Sequence, residues 1–240
     1  MVRLYFKLIT LMLTIVLVPM GHAQDVSVDT NAHLEGTCSG VFIRQELPHV
    51  TTVDTDPIRM FESNGAGLAL GDLNADGLTD IVLANLDGPE TVLWNRGDLM
   101  FDAAALDIPG RTRAAIIIDV DADGLRDIVF TSQRAAPSLW RNMGEESFEF
   151  APLSGVSKPA YAMNWADLDA DGDLDLVTGS YDAELARIMS NEFLFGENNG
   201  VFVYINEDGD YTAIRLSESA QALAILLTDL NGDNAPDIAV

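Results

Sequence analysis

The sequence predicts an all-β fold assembled from repeated four-stranded units, and three observations carry that prediction. A nine-residue acidic frame occurs four times, with its first Asp at positions 72, 119, 167 and 229, so the intervals are 47, 48 and 62 residues. A period of that size signals a repeat architecture. Each frame lies between two short apolar runs, and those flanks are β-branched and lack helical periodicity, as strands do.

The chain opens on a segment that reads as an address rather than as fold. Arg3 and Lys7 precede the apolar run Leu8–Val18, and Gly21-His22-Ala23 offers small residues at a cleavage site. The run is too short to span a bilayer and fits a secretory signal peptide over 1–23. Residues 24–40 are polar and aperiodic, a flexible N-terminal segment. Val41–Gln45 is expected to be a short strand, and Pro48–Pro57 a loop. Repeats then fill the rest of 41–240, with units starting near 65, 112, 160 and 220.

Within a unit, strands are expected before the frame (Gly67–Leu70, Ala114–Ile118, Tyr161–Trp165, Ala222–Leu227) and after it (Ile81–Ala84, Ile128–Thr131, Leu176–Thr178, Ile238–Val240). A third strand ends on an aromatic residue and a turn: Val92-Leu-Trp94-Asn95-Arg96-Gly97, Ser138-Leu-Trp140-Arg141-Asn142-Met143-Gly144, and Val201 to Gly209. Phe101 and Phe148 open a fourth strand. Four short antiparallel strands in about 47 residues is the size of a β-propeller blade. The third unit carries an insertion around 181–199, in which Glu184–Met189 suggests a helical turn or two. Three full units and part of a fourth do not close a ring, so the sequence is expected to be the N-terminal portion of a longer propeller.

The frames are Asp72-Leu-Asn74-Ala-Asp76-Gly77-Leu78-Thr-Asp80, Asp119-Val-Asp121-Ala-Asp123-Gly124-Leu125-Arg-Asp127, Asp167-Leu-Asp169-Ala-Asp171-Gly172-Asp173-Leu-Asp175 and Asp229-Leu-Asn231-Gly-Asp233-Asn234-Ala235-Pro-Asp237. So many carboxylates in one loop repel one another unless a hard cation sits among them, and calcium takes six to eight oxygen ligands. An EF-hand would need a Glu at position 12; the residues there are Leu83, Phe130, Thr178 and Val240. Position 9 supplies the closing Asp instead, on a loop short enough for a β-hairpin. The expected ligands are the side chains at positions 1, 3, 5 and 9 and the backbone carbonyls of Leu78, Leu125, Asp173 and Ala235. Glycine at position 6 permits the positive φ of the turn. The fourth loop is weaker, with Asn234 in place of glycine and Pro236 before Asp237. The expected order of occupancy is third, second, first, fourth, with up to four structural Ca2+ ions. An Asp-Gly turn that binds nothing could explain one loop, but four in register argue against it.

All 38 acidic side chains follow residue 23, against 11 of the 13 basic ones, a net charge of about −27. Such a surface excludes nucleic acid and anionic lipid as partners. Of the acids, 15 are Asp at odd positions of the four loops, where two Asn join them. Cys38 is the one cysteine, so no internal disulfide can form. Lys158, His33 and His49 are the only Lys and His after residue 23, and no nucleophile elbow, P-loop or zinc motif is present. Trp94, Trp140 and Trp165 could stack on sugars. Trp94 and Trp140, however, read as recurring at equivalent strand positions, which favours core packing.

The segments Gly71–Val82 and Ala166–Val177 resemble VCBS/FG-GAP repeats, the calcium-loop blades also found in integrin alpha subunits. Leu139–Phe148 is further similar to bacterial repeat proteins of the ASPIC/UnbV and cartilage-acidic-protein-like group. The resemblance implies a β-propeller, commonly seven-bladed, with calcium in the loops joining the first and second strands of each blade. The function expected is a secreted or periplasmic, non-catalytic adhesion or ligand-binding module, with a protein or carbohydrate partner on a propeller face. The rival is the propeller portion of a polysaccharide-active enzyme such as a calcium-dependent lyase, whose basic catalytic residue would be an arginine or lie beyond Val240.

Overall fold

The computed structural model describes residues 44–52, 66–106, 112–132, 135–181, 200–218 and 222–240. The chain divides into two compact units, Met1–Gln45 and Glu46–Val240, and every strand described lies in the second. The expected signal peptide, flexible 24–40 segment, strand residues Val41–Ile43 and helical turn at Glu184–Met189 fall outside the described residues. Arg44 and Gln45, expected to end a strand, are not in one.

The fold is all-β. The first sheet joins β1 (Leu68–Gly71), β2 (Asp80–Leu83), β3 (Glu90–Asn95) and β4 (Phe101–Leu106). A second joins β5 (Thr112–Ile118), β6 (Asp127–Ser132), β7 (Ser138–Asn142) and β8 (Phe148–Pro152). The third comprises β9 (Ala162–Ala166), β10 (Asp175–Gly179), β11 (Val201–Glu207) and β12 (Asp210–Ser217). A two-stranded hairpin follows, β13 (Leu226–Thr228) and β14 (Asp237–Ala239). Each sheet pairs its strands in chain order and antiparallel throughout. The leading strands of successive units touch, β1 to β5, β5 to β9 and β9 to β13. The sheets therefore follow one another as blade-like repeats, and among the described residues they do not close into a ring.

The cores lie between successive sheets because strand side chains alternate faces. On β6, Ile128 and Phe130 join Val82, Val92 and Trp94 of the first sheet, while Val129 turns to Trp165, Leu176 and Tyr204 of the third. On β10, Leu176 faces the second sheet and Val177 faces Ala222 and Ile225. Buried on both faces, these strands read as unbroken apolar runs, as central strands should.

Two expectations need correction. The run Ala222–Leu227 was expected to be a strand, but pairing begins only at Leu226. Ala222 instead packs into the third core and donates its N–H to the carbonyl of Ser180. Trp94 and Trp140 are also not equivalent. Ile81 pairs with Leu93 and Ile128 with Trp140, so Trp140 matches Leu93, and Trp94 matches Arg141. The two indoles come from facing sheets into one core, where Trp94 stacks on Phe148 with ring centroids 5.9 Å apart. Core packing holds for both, for a different reason from recurrence. Trp165 is buried too, edge-on to Tyr211.

Candidate metal centre

Each acidic frame bridges the first and second strands of its unit, and its ninth residue opens the second strand: Asp80 on β2, Asp127 on β6, Asp175 on β10 and Asp237 on β14. The loop winds through two left-handed residues. Position 6 has φ of 84° at Gly77, 90° at Gly124, 103° at Gly172 and 67° at Asn234. Position 4 is left-handed as well, at Ala75, Ala122, Ala170 and Gly232. The fourth loop thus moves its glycine two positions earlier, and Asn takes the sixth, a residue that tolerates this region.

Coiling in this way aims backbone N–H groups at the loop's own carboxylates. Asp72 accepts from Asp76 and Gly77, Asp119 from Asp123 and Gly124, and Asp229 from Gly232, Asp233 and Asn234. The carboxylate at position 5 accepts the N–H of position 7 in all four loops: Asp76 from Leu78, Asp123 from Leu125, Asp171 from Asp173 and Asp233 from Ala235.

Position 9 plays a different part. Asp80, Asp127 and Asp175 are fully buried, at 0 % exposure. One oxygen of each accepts the N–H of loop position 2, from Leu73, Val120 and Leu168. The other accepts the N–H of an asparagine at or next to the end of the third strand, from Asn95, Asn142 and Asn206, each at 2.8 Å. That asparagine returns its amide to the carbonyl of loop position 8, at Thr79, Arg126 and Leu174. Its side-chain oxygen receives the N–H of the turn glycine, Gly97, Gly144 or Gly209. In the fourth loop Asp237 accepts from Leu230 in the same way.

Sequence reasoning missed this asparagine clamp. The signal was present in the first two units, where Asn95 and Asn142 each stand 23 residues after the first loop Asp. In the third unit the insertion hides it.

The structure brings positions 1, 3 and 9 together. Asp119, Asp121 and Asp127 present carboxylate oxygens within 4.8 Å of one another, and so do Asp167, Asp169 and Asp175. These two groups could hold a metal ion. Asp123 and Asp171 stand apart from them. In the first and fourth loops position 3 is a neutral amide, and Asn74 and Asn231 use their side-chain oxygens on the N–H of Asp76 and Asp233.

Electrostatics favours a cation at these sites. Burial pushes the Asp80 and Asp127 carboxyls above their ordinary range although two backbone donors pull the other way, and neighbouring loop acids add to the rise. Asp169 is raised by desolvation and by Asp171. Asp229, held by backbone donors from Asn234 and Gly232, moves down instead. In the third loop Oδ1 of Asp167 is buried and has no hydrogen-bond partner. A buried carboxylate oxygen left unsatisfied is costly, and such an oxygen beside two further carboxylates suits a hard cation. The donor set therefore fits.

Among known families, the model of the FG-GAP-like repeat matches residues 119–178. That segment runs from the first Asp of the second loop through the third loop to β10. No curated protein matches the chain. Among the described residues no helix is long and apolar enough to cross a membrane.

Proposed function

We propose that this chain is a calcium-stabilised β-propeller module of the VCBS/FG-GAP kind, similar to the ASPIC/UnbV group, exported and non-catalytic, which presents a propeller face to a protein or carbohydrate partner. The observation that carries the metal reading is the third loop, where three converging carboxylates include a buried oxygen without a partner. Calcium fits better than a softer metal because every donor is an oxygen. Bound there, it would supply the positive charge that the buried Asp175 and its neighbours lack. Its binding free energy then adds to folding.

The tryptophans support a structural rather than a sugar-stacking role, since Trp94 and Trp165 are spent on the cores. The signal-like start and the strongly acidic remainder support export. Thermal melting in EDTA and in millimolar calcium tests the metal reading. Calcium is expected to raise Tm by several degrees or more, and equal melting under both conditions would sink it.

A further inference from the structure

The second and third loops carry the same acids at positions 1, 3, 5 and 9, yet their surroundings differ in charge. Nε of Arg141, on β7, lies 2.8 Å from Oδ2 of Asp121, the position-3 acid of the second loop. The Nε–H is not directed at that oxygen, so the contact is an ion pair rather than an aligned hydrogen bond.

The fold does not call for an arginine there. By strand register Arg141 matches Trp94 in the first unit and Ile205 in the third. Trp94 is a core residue, and Ile205 packs against the third core. The partner across the sheets changes in parallel. Phe148 pairs with Asn142 as Tyr211 pairs with Asn206, so the Trp94–Phe148 stack of the first interface corresponds to Arg141 and Tyr211 in the second. Arg141 and Tyr211 both line a cleft of about 370 Å³ that also reaches Asp119 and Asp121 of the second loop and Asp173 of the third. A stacked pair is replaced there by a cation with room to move beside a predicted ligand.

We propose that Arg141 is a built-in counter-cation that lowers the calcium affinity of the second loop, leaving the third loop the tighter site. The inference rests on the metal reading above. A guanidinium offsets the charge of Asp121 without metal and opposes a divalent ion at the same carboxylates. The third loop has Ile205 at the matching position, and an Asp167 oxygen still seeking a partner. Because the Arg141 and Asp121 side chains are 43 % and 33 % exposed, solvent screens the effect and makes it modest.

Calcium titration calorimetry of the whole chain tests this, with Asp119→Asn and Asp167→Asn assigning the second- and third-loop steps. Arg141→Gln is expected to tighten the second-loop step about two- to fivefold, the range of an exposed charge pair, and to leave the third-loop step unchanged. Arg141→Lys, which keeps the charge, is expected to behave like the native chain. High salt should shrink the difference between the native chain and Arg141→Gln. A second-loop step that is unchanged or weakened in Arg141→Gln, with circular dichroism showing a native fold, overturns the proposal while leaving calcium binding intact. Calcium heats absent from every variant overturn both the proposal and the metal reading on which it rests.

Discussion

At the scale of single residues, the closing aspartate and the asparagine clamp matter more to the fold than the exposed acids do. Asn142 is buried, and its amide serves two carbonyls, Arg126 in its own loop and Leu73 in the loop of the first sheet. It is therefore a rivet between two units as well as within one. Replacing it by Ala strips the donor from the buried Leu73 carbonyl and from the part-buried Arg126 carbonyl, and a buried group so orphaned costs about 1–3 kcal/mol. Asn142→Ala is expected to lose about 2–4 kcal/mol in urea unfolding. Asn95→Ala, whose amide reaches only the exposed-side carbonyl of Thr79, is expected to lose about 1 kcal/mol. Equal losses would show that the bond to Leu73 contributes nothing. A second residue-scale effect is pH-dependent. His49 sits against the first sheet with Nδ1 2.9 Å from the Thr91 hydroxyl, and burial lowers its pKa from 6.5. The folded chain then binds fewer protons than the unfolded one in this window. The contribution is complete above about pH 6.5 and is lost as pH falls through the lowered folded value. The His49 ring resonances in an NMR titration should move with a midpoint below 6.5, and a midpoint at or above it would contradict the burial.

At the scale of elements, what was legible follows from which physical signal each strand carries. Central strands such as β6 and β10 are buried on both faces, so they stand out as unbroken apolar runs beside a fixed acidic frame. β12 is mostly exposed and carries no such signal; only its position after the Gly209 turn betrays it. The tryptophan register was misread because the second unit has one more residue between its indole and the turn glycine than the first, Trp140 to Gly144 against Trp94 to Gly97. Register follows Asn95 and Asn142, which bond the closing aspartate, and one residue of slip changes the face of a side chain. The meeting of the acids at positions 1, 3 and 9 of the second and third loops was legible from spacing, although position 5, expected to join them, falls outside these groups. Arg141 was not legible, because its meaning depends on a strand alignment that only the pairing reveals. The contact between leading strands was equally hidden. Gly67 donates its N–H to the carbonyl of Arg113 at 2.6 Å, and a Cβ there would sit 2.7 Å from that oxygen and 2.9 Å from Cα of Ala114. The obstacle is backbone, which cannot swing aside. Gly67→Ala is expected to cost about 1–3 kcal/mol by forcing β1 away from β5, measured as a lower urea midpoint. A neutral result would mean that the two leading strands do not touch so closely.

At the scale of the whole molecule, the described sheets of Glu46–Val240 form a stack in which each uses both faces except the first and the last. Ala69 of β1 turns into the first core while Leu68 and Leu70 face away from it, at 58 % and 60 % exposure. At the other end Leu227 joins the third core while Leu226 stays 56 % exposed. Exposed apolar strand positions of this kind favour association between chains, which the large negative charge opposes. Two consequences separate these end positions from the cores. Leu70→Thr with Leu226→Thr removes apolar surface that is already in water, and threonine keeps β propensity. The double variant should therefore unfold within about 0.5 kcal/mol of the native chain. It should also scatter less light at high protein concentration, most visibly in salt that screens the acidic surface. Val82→Thr and Val177→Thr, fully buried on the inner faces of the same stack, put an unpartnered hydroxyl in a core and should each cost about 1–3 kcal/mol. If the end-face variant instead loses as much as the core variants, those leucines are covered in solution, and the chain pairs through its ends.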